Sequence, residues 1–276
     1  MQVQSLGYRT DLLFAKFDGV IKEHNNYWVV QTHSNPHFHW GNFVLFKQAP
    51  VQGDLKSWTR IFKSEISTPL ISHMAFGWDE IDTATPSIDE FLNAGFKFDQ
   101  GVVLTAQSVR PAPRSHHTVR VRPITSADDW AAAIENQIAC RDVDFSEVSF
   151  REFKTNQFLR YKKMADQKLG LWFGAFLGDE LVADLGIFCD QAVGRFQNVC
   201  THPKYRRQGI CSALVYQAAA HAFESMQVQT LVMVADDDGA ARRVYESVGF
   251  RPTEKQYGLS WWPGSDIREP KKPINP

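Results

Sequence analysis

Two arginines and a nearby glycine, Arg206-Arg207-Gln208-Gly209, lie between a proline-broken apolar run and a long amphipathic stretch. Residues 198–214 read Asn-Val-Cys-Thr-His-Pro-Lys-Tyr-Arg-Arg-Gln-Gly-Ile-Cys-Ser-Ala-Leu, the pattern of a strand, a proline break, a basic turn and a helix start. The first N–H groups of a helix have no intrahelical acceptor and carry the positive end of its dipole, so such a turn suits a phosphate. Gly209 would let the backbone approach a pyrophosphate, and Arg206 and Arg207 add charge and donors. The same residues read equally well as a solvated basic loop. The stretch is not a P-loop, because G-x-x-x-x-G-K-[ST] does not occur.

Other chemistry-bearing residues point to less. His37-Phe-His39-Trp40, with His33 nearby, sets two imidazoles on one face of a strand. No third ligand spacing accompanies them and Pro36 disturbs the strand, so the expectation is a loop or groove wall and no metal. Cys140, Cys189, Cys200 and Cys211 form no C-x-x-C pair and read as thiols in a reducing cytoplasm. Neither Cys200 nor Cys211 has an evident base partner, so neither is read as an acyl-accepting nucleophile. The formal net charge of −1 gives no bulk attraction to nucleic acid or anionic membrane. No apolar run is long enough to span a bilayer, and no apolar h-region follows the first basic residues, so a cytoplasmic protein is expected.

The elements that must position the basic turn follow from periodicity. In the C-terminal half, Thr118–Arg122 reads as a strand and Thr125-Ser126 opens a helix. Ser149-x-x-Glu152 reads as a capping box ahead of a helix bearing Phe150, Phe153, Tyr161 and Met164. Strands are expected over Leu171–Phe176, Leu181–Phe188, Phe196–Thr201 and Val228–Val234, with Gly178-Asp179 as a hairpin turn. Helices are expected from about Gly209 to Ser225 and over Ala240–Ser247, the latter stopped by Gly249, with strands through Trp262. The N-terminal half echoes this order. Its strands are Leu12–Phe17, Tyr27–Thr32 and Asn42–Lys47, followed by a helix Asp54–Glu65, a strand near Leu70–Phe76, a helix Ser87–Asn93 and a strand Val102–Thr105. Phe91-Leu-Asn-Ala-Gly95-Phe96 parallels Tyr245-Glu-Ser-Val-Gly249-Phe250, which suggests a duplicated fold. The fold class is α/β with a mixed sheet. The expected division is 1–115, 116–262 and a proline-rich tail 263–276, with Arg110-Pro-Ala-Pro-Arg-Ser-His-His117 as the linker.

Arg206-Arg-Gln-Gly209-Ile-Cys211 resembles the Q/R-x-x-G-x-G/A signature of the GNAT superfamily of acyl-CoA N-acyltransferases. Val199–Pro203 is similar to its strand-then-proline approach, Tyr245-Glu-Ser-Val-Gly-Phe250 to its late Y-x-x-x-G-F box, and Val121-Arg-Pro-Ile-Thr-Ser-Ala-Asp128 to its opening. The resemblance covers about residues 118–260. It implies a GNAT-like fold there, to which the N-terminal half would be a degenerate GNAT-like companion in tandem, with acetyl-CoA as co-substrate, its pantetheine arm along Val199, Cys200 and Thr201. It places the pyrophosphate on the amides of Arg207, Gln208, Gly209, Ile210, Cys211 and Ser212, beside Arg206. Asp238 falls where the family often has an Asn near the pantetheine or adenine, and Tyr245 where a Tyr commonly protonates the departing thiolate. Read by itself, Tyr245 is an aromatic anchor on an amphipathic helix.

Two departures qualify the resemblance. Cys211 replaces the signature's last Gly or Ala. The two central strands, Arg195–Val199 and Leu231–Val234, lack the Glu that many members use as general base. Asp184, Asp190, Asp236 and His202 are substitutes by position only, and the base is unassigned. The N-terminal counterpart of the turn, Gln48-Ala-Pro-Val-Gln-Gly53, has no arginine. The function expected is an acetyl-CoA-dependent N-acetyltransferase whose acceptor is a primary amine of a small molecule, a protein N-terminus or a lysine. The alternative is a non-catalytic acyl-CoA-binding or regulatory module. Neither the acceptor nor the oligomeric state is legible.

Overall fold

The computed structural model describes residues 3–80, 86–141, 146–237 and 239–263. The proposed tail beyond Pro263 therefore lies outside the described residues. Contacts group the chain into two units, and not at a single cut near residue 115. Unit 1 comprises Met1–Ser5, Gly19–Gln100 and Tyr257–Pro276; unit 2 comprises Leu6–Asp18 and Gly101–Gln256.

Unit 1 is built from β1 (Val20–Glu23), β2 (Tyr27–Gln31), β3 (Phe43–Phe46), α2 (Asp54–Glu65), β4 (Met74–Trp78) and α3 (Asp89–Asn93), following α1 (Leu6–Asp18) in the chain. β1–β2 and β2–β3 pair antiparallel, β3–β4 parallel across the α2 connection. The C-terminal part of β11 (Arg251–Trp261) completes the row, with Gly258–Trp261 antiparallel to Met74–Gly77. Its core is aromatic, with Phe46 stacked on Trp58 at 3.8 Å and Phe76, Phe91 and Phe96 around them. Such offset and edge-on ring pairs favour one packing arrangement over a merely apolar interior.

β5 (Lys97–Ala106) precedes β6 (Arg120–Pro123), α4 (Ala127–Ala139), α5 (Glu147–Asp166), β7 (Gly170–Leu177), β8 (Glu180–Asp190), β9 (Val193–Thr201), α6 (Ile210–Ser225), β10 (Thr230–Asp236) and α7 (Ala240–Val248). From β7 to α7 unit 2 repeats the sequence of elements in unit 1, with β6, α4 and α5 ahead of it. β6, β7, β8 and β9 form an antiparallel meander, and β9 pairs parallel with β10. The row ends with Gly101–Ala106 of β5 antiparallel to β10. Hence the last strand of the first repeat, β5, completes the sheet of the second, and the last strand of the second, β11, completes the sheet of the first.

Most expected elements are present within a few residues. One is not: Leu12–Phe17 is read as a strand but lies in helix α1. A short apolar run fits either period, and Tyr8, Leu12 and Ala15, buried one or two turns apart, follow the helical one. Arg195 of β9 fixes this helix, donating to the carbonyl of Gly7 (3.2 Å), to Thr10 Oγ1 (2.8 Å) and to Asp11 Oδ1 (2.7 Å). The capping box at Ser149 is also displaced, since α5 has Ser146 as its N-cap and Ser149 is already inside it. Ser126 does cap α4, accepting from the N–H of Asp129.

Candidate functional site

β9 and β10 pair only over Val193–Arg195 and Thr230–Val232. Beyond that point β9 carries a bulge opposite Asp184–Gly186, with Asn198 at φ 47°. A bulge interrupts the ladder and turns the strand, so the segment from Asn198 to Thr201 leaves β10 and presents an open edge. The chain then turns at Pro203 and reaches Arg207 (φ 64°) and Gly209 (φ 76°) before α6 begins. Among the described residues no acceptor pairs with the N–H groups of residues 207 to 212. Arg206, Arg207 and Gln208 are exposed, and Arg206 Nε donates back to the carbonyl of Thr201 at 3.1 Å.

A cleft of ≈ 1390 Å³ joins this turn to the open edge of β9. Val199, Cys200, Thr201 and every residue from Arg206 to Ser212 line it, so the expected cofactor residues are brought together. Asp238 lies outside the described residues. The proline-flanked segment is not a loose linker. Ala112–Ser115 form part of the wall, and Ser212 Oγ donates to the carbonyl of Arg114 at 2.7 Å. The wall carries Arg114, Arg141, Lys154, Arg206, Arg207 and Arg243 and, among the described residues, no carboxylate. Arg114, Arg141, Lys154 and Arg243 carry no motif in the sequence, and only the fold gathers them here. Such a site fits a ligand with several negative charges, as coenzyme A has.

Tyr245 lies on α7, 6% exposed, and is not itself part of the wall. Burial, with the Cys211 thiol and the Asp236 carboxylate nearby, holds its phenol far above the usual range. The substitutes for the missing base are placed elsewhere. Asp184 is fully buried, accepting from Asn136 Nδ2 (2.5 Å), Gln137 Nε2 (2.8 Å) and Trp172 Nε1 (3.0 Å), and burial raises its pKa to about 7. Asp190 pairs with Lys16, and His202 Nδ1 accepts from the N–H of Lys204. None of these, nor Asp236, lines the cleft.

The cysteines depart from expectation. Cys140 and Cys200, 60 residues apart, form a disulfide between the end of α4 and β9, which consumes the Cys200 thiol and removes one support for a reducing compartment. Cys211 stays a thiol whose pKa burial pushes up to about 11. In unit 1, His39 and His73 stack at 4.2 Å, and burial lowers them to about 3 and about 4. No group of three or more His, Cys, Asp or Glu able to hold a metal ion occurs among the described residues. Nor is any described helix long and apolar enough to cross a membrane.

The counterpart of the basic turn in unit 1 is closed from within. Gly53 (φ 95°) precedes α2 as Gly209 precedes α6. Here the Glu90 carboxylate of α3 accepts from the N–H of Gly53 (2.8 Å) and of Leu55 (3.3 Å). Asp54 accepts from the N–H of Val51 and Glu80 from that of Ala49, both at 2.9 Å. Carboxylates of the chain itself hold several of the amides that a phosphate would need, those of Gly53 and Leu55 among them.

No curated protein matches the chain in sequence. Among solved structures, a GCN5-related N-acetyltransferase from Kribbella flavida superposes with a TM-score of 0.66 at 13% identity, covering 94% of this chain and 96% of that one. A conserved protein of unknown function from Staphylococcus epidermidis gives 0.66 at 12%, covering 88% and 94%. A tandem GNAT protein of the clavulanic acid biosynthesis pathway gives 0.51 at 11%, covering 95% and 89%. At these identities the likeness is one of fold, and the fold is a tandem GNAT one. The acetyltransferase (GNAT) family model matches residues 130–250, which hold the bulged strand, the basic turn and the tyrosine helix. Residues 130–250 therefore match the GNAT acetyltransferase family.

Proposed function

We propose that this chain is an acetyl-CoA-dependent N-acetyltransferase that acetylates a primary amine by direct attack. One observation carries the reading: a single cleft joins the unpaired amides of residues 207–212 to the open edge of β9. Bound acetyl-CoA supplies an activated thioester, whose C–S bond breaks as the C–N bond forms, giving amide, free thiol and the proton shed by the starting ammonium.

The chain's own groups divide the remaining work. The amides of Arg207 through Ser212 hold the pyrophosphate, with Arg206 and Arg207 neutralising it. The backbone of Val199, Cys200 and Thr201 accepts the pantetheine arm as an added strand, and a backbone N–H on that edge polarises the thioester oxygen. Asp238 is assigned to the pantetheine or adenine side. Tyr245 keeps its proton across the working pH range and donates a hydrogen bond toward the departing sulfur. Because its pKa is raised, complete transfer to a thiolate of ordinary pKa about 8.5 is uphill, and hydrogen bonding is the larger part of its effect. The ammonium proton leaves through water. Acetyl-CoA is a cytoplasmic metabolite, so the reaction is assigned to the cytoplasm, where glutathione reduces accessible disulfides.

The test is calorimetric titration of acetyl-CoA, followed by thiol release with a panel of amines. Binding is expected to weaken tenfold or more in an Arg206→Glu, Arg207→Glu variant. Tyr245→Phe is expected to lower kcat at least tenfold while changing the acetyl-CoA Kd less than twofold. A folded wild-type protein that binds no acetyl-CoA would sink the reading. Binding without thiol release from any amine would favour the non-catalytic module, which gains weight from the absence of a carboxylate or imidazole on the described cleft wall.

A further inference from the structure

We infer that the acceptor is an amino acid, a small amine bearing a carboxylate a few bonds away, and that Lys154 holds that carboxylate. This inference rests on the acetyltransferase reading and names the substrate class of the same site. Lys154 is only 7% exposed, yet it lines the cleft beside Phe150, Gln137 and Asn198. Its ammonium lies 5.6 Å from the ring centroid of Phe150 and 5.2 Å from that of Phe153, and donates to Gln157 Oε1 at 3.1 Å. An ammonium has three donors, and a lysine is seldom buried so completely without an anion. Among the described residues no carboxylate lies within ion-pair distance of it. Asp184 acts on it only at longer range, being engaged by Asn136, Gln137 and Trp172.

The position of this cation separates it from the phosphate end. Gln157 Oε1, which accepts from Lys154, also accepts from Asn198 Nδ2 at 2.8 Å. Asn198 is the bulged residue at the start of the open edge, whereas Arg206 follows its end. Lys154 therefore stands two hydrogen bonds from the end of β9 remote from the basic turn, where an acceptor must approach. Arg141, the other cation on that side, is engaged by Glu147 at 3.1 Å. A carboxylate seated on Lys154 would satisfy the buried charge. The same cation repels an unadorned alkylammonium and disfavours the protonated form of the acceptor's amine, which must be neutral to attack.

The experiment compares matched pairs that differ only in the carboxylate, such as phenylalanine against phenethylamine and leucine against isopentylamine. Thiol release from acetyl-CoA is measured with wild type, Lys154→Met and Lys154→Arg. Product affinity is read beside it, by calorimetry of N-acetylphenylalanine against N-acetylphenethylamine on coenzyme A-saturated protein. The expected result is a kcat/KM at least tenfold higher for the carboxylated member of one or more pairs, matched in product affinity, lost in Lys154→Met and partly kept in Lys154→Arg. Acetyl-CoA binding by each variant shows that it is folded. Equal or faster turnover of the decarboxylated amines, preference unchanged in Lys154→Met, or no turnover of any amino acid by protein that binds acetyl-CoA overturns the inference alone. Failure of wild type to bind acetyl-CoA removes the underlying reading as well.

Discussion

The N–H of His116 donates to the carbonyl of Gly209 at 3.2 Å, laying the proline-flanked segment against the first turn of α6. A Cβ at Gly209 would come within 3.0 Å of the His116 nitrogen and 3.1 Å of the Arg114 carbonyl oxygen, at a φ of 76°. Both the left-handed backbone and the contact penalise any side chain. Gly209→Ala is expected to cost about 1–3 kcal/mol, read as a lower urea midpoint at unchanged m. Cofactor loss in a Gly209 variant would thus report on folding as much as on phosphate binding. The exposed Arg206→Ala and Arg207→Ala changes should stay within about 0.5 kcal/mol of wild type and isolate the binding effect.

The contacts of Glu90 carry a prediction about cofactor stoichiometry. With its carboxylate on the amides of Gly53 and Leu55, part of the anion cradle at α2 is filled by the chain itself, so calorimetry should give one acetyl-CoA per chain. A stoichiometry of two would contradict this. Glu90→Ala removes a charge-assisted cap and should destabilise by about 1–2 kcal/mol, with Glu90→Gln losing less.

Asp184 makes stability depend on pH in a defined direction. Its pKa in the folded protein, about 7, lies above the ordinary carboxylate value, so between these two values the native state binds more protons than the unfolded chain. Its contribution is fully present below about pH 4 and is lost as pH rises through about 7. Lys154, the charged neighbour, is lowered to about 8 and affects a higher window, where stability grows as pH rises toward the ordinary lysine value. Urea midpoints measured from pH 4 to 8 should show the Asp184 slope in wild type and its loss in Asp184→Asn. That variant should also be less stable, because the three groups facing the carboxylate are all N–H donors.

Reduction of the Cys140–Cys200 disulfide should lower the melting temperature. The bond closes a 60-residue span, and the chain-entropy treatment assigns such a loop roughly 4 kcal/mol. Cys140→Ser should reproduce the shift without reductant, and reductant should then have no further effect. An unchanged melting temperature on reduction, with free thiols counted before and after, would contradict this.

The sequence made the cofactor end of the site readable because its chemistry is local. Pro203, Arg206, Gly209 and the start of α6 lie within one turn, and their spacing alone specifies a strand, a break and an exposed helix terminus. The acceptor end was not readable. Lys154 belongs to the periodic pattern of α5, and only the packing of α5 against the bulged β9 brings it beside Asn198. Glu90 was hidden for the same reason, since its role depends on Gly53, 37 residues away. Leu12–Phe17 failed differently. Its short apolar run fits either period, and the helix is anchored by Arg195, far along the chain. The pairing of Cys140 with Cys200 likewise follows from α4 lying over β9, not from any spacing of cysteines.

The exchange of final strands explains why a half with a blunted anion site is retained. A fragment starting at residue 116 would lack Gly101–Ala106, leaving the edge of β10 unpaired along Leu231–Asp236, and would lack α1, leaving Arg195 without Gly7, Thr10 and Asp11. A bare apolar edge of that kind invites pairing with other chains. The second repeat thus depends on segments that precede it in the chain: α1 and Gly101–Ala106 belong to its own compact unit, so removing everything before residue 116 removes part of its fold.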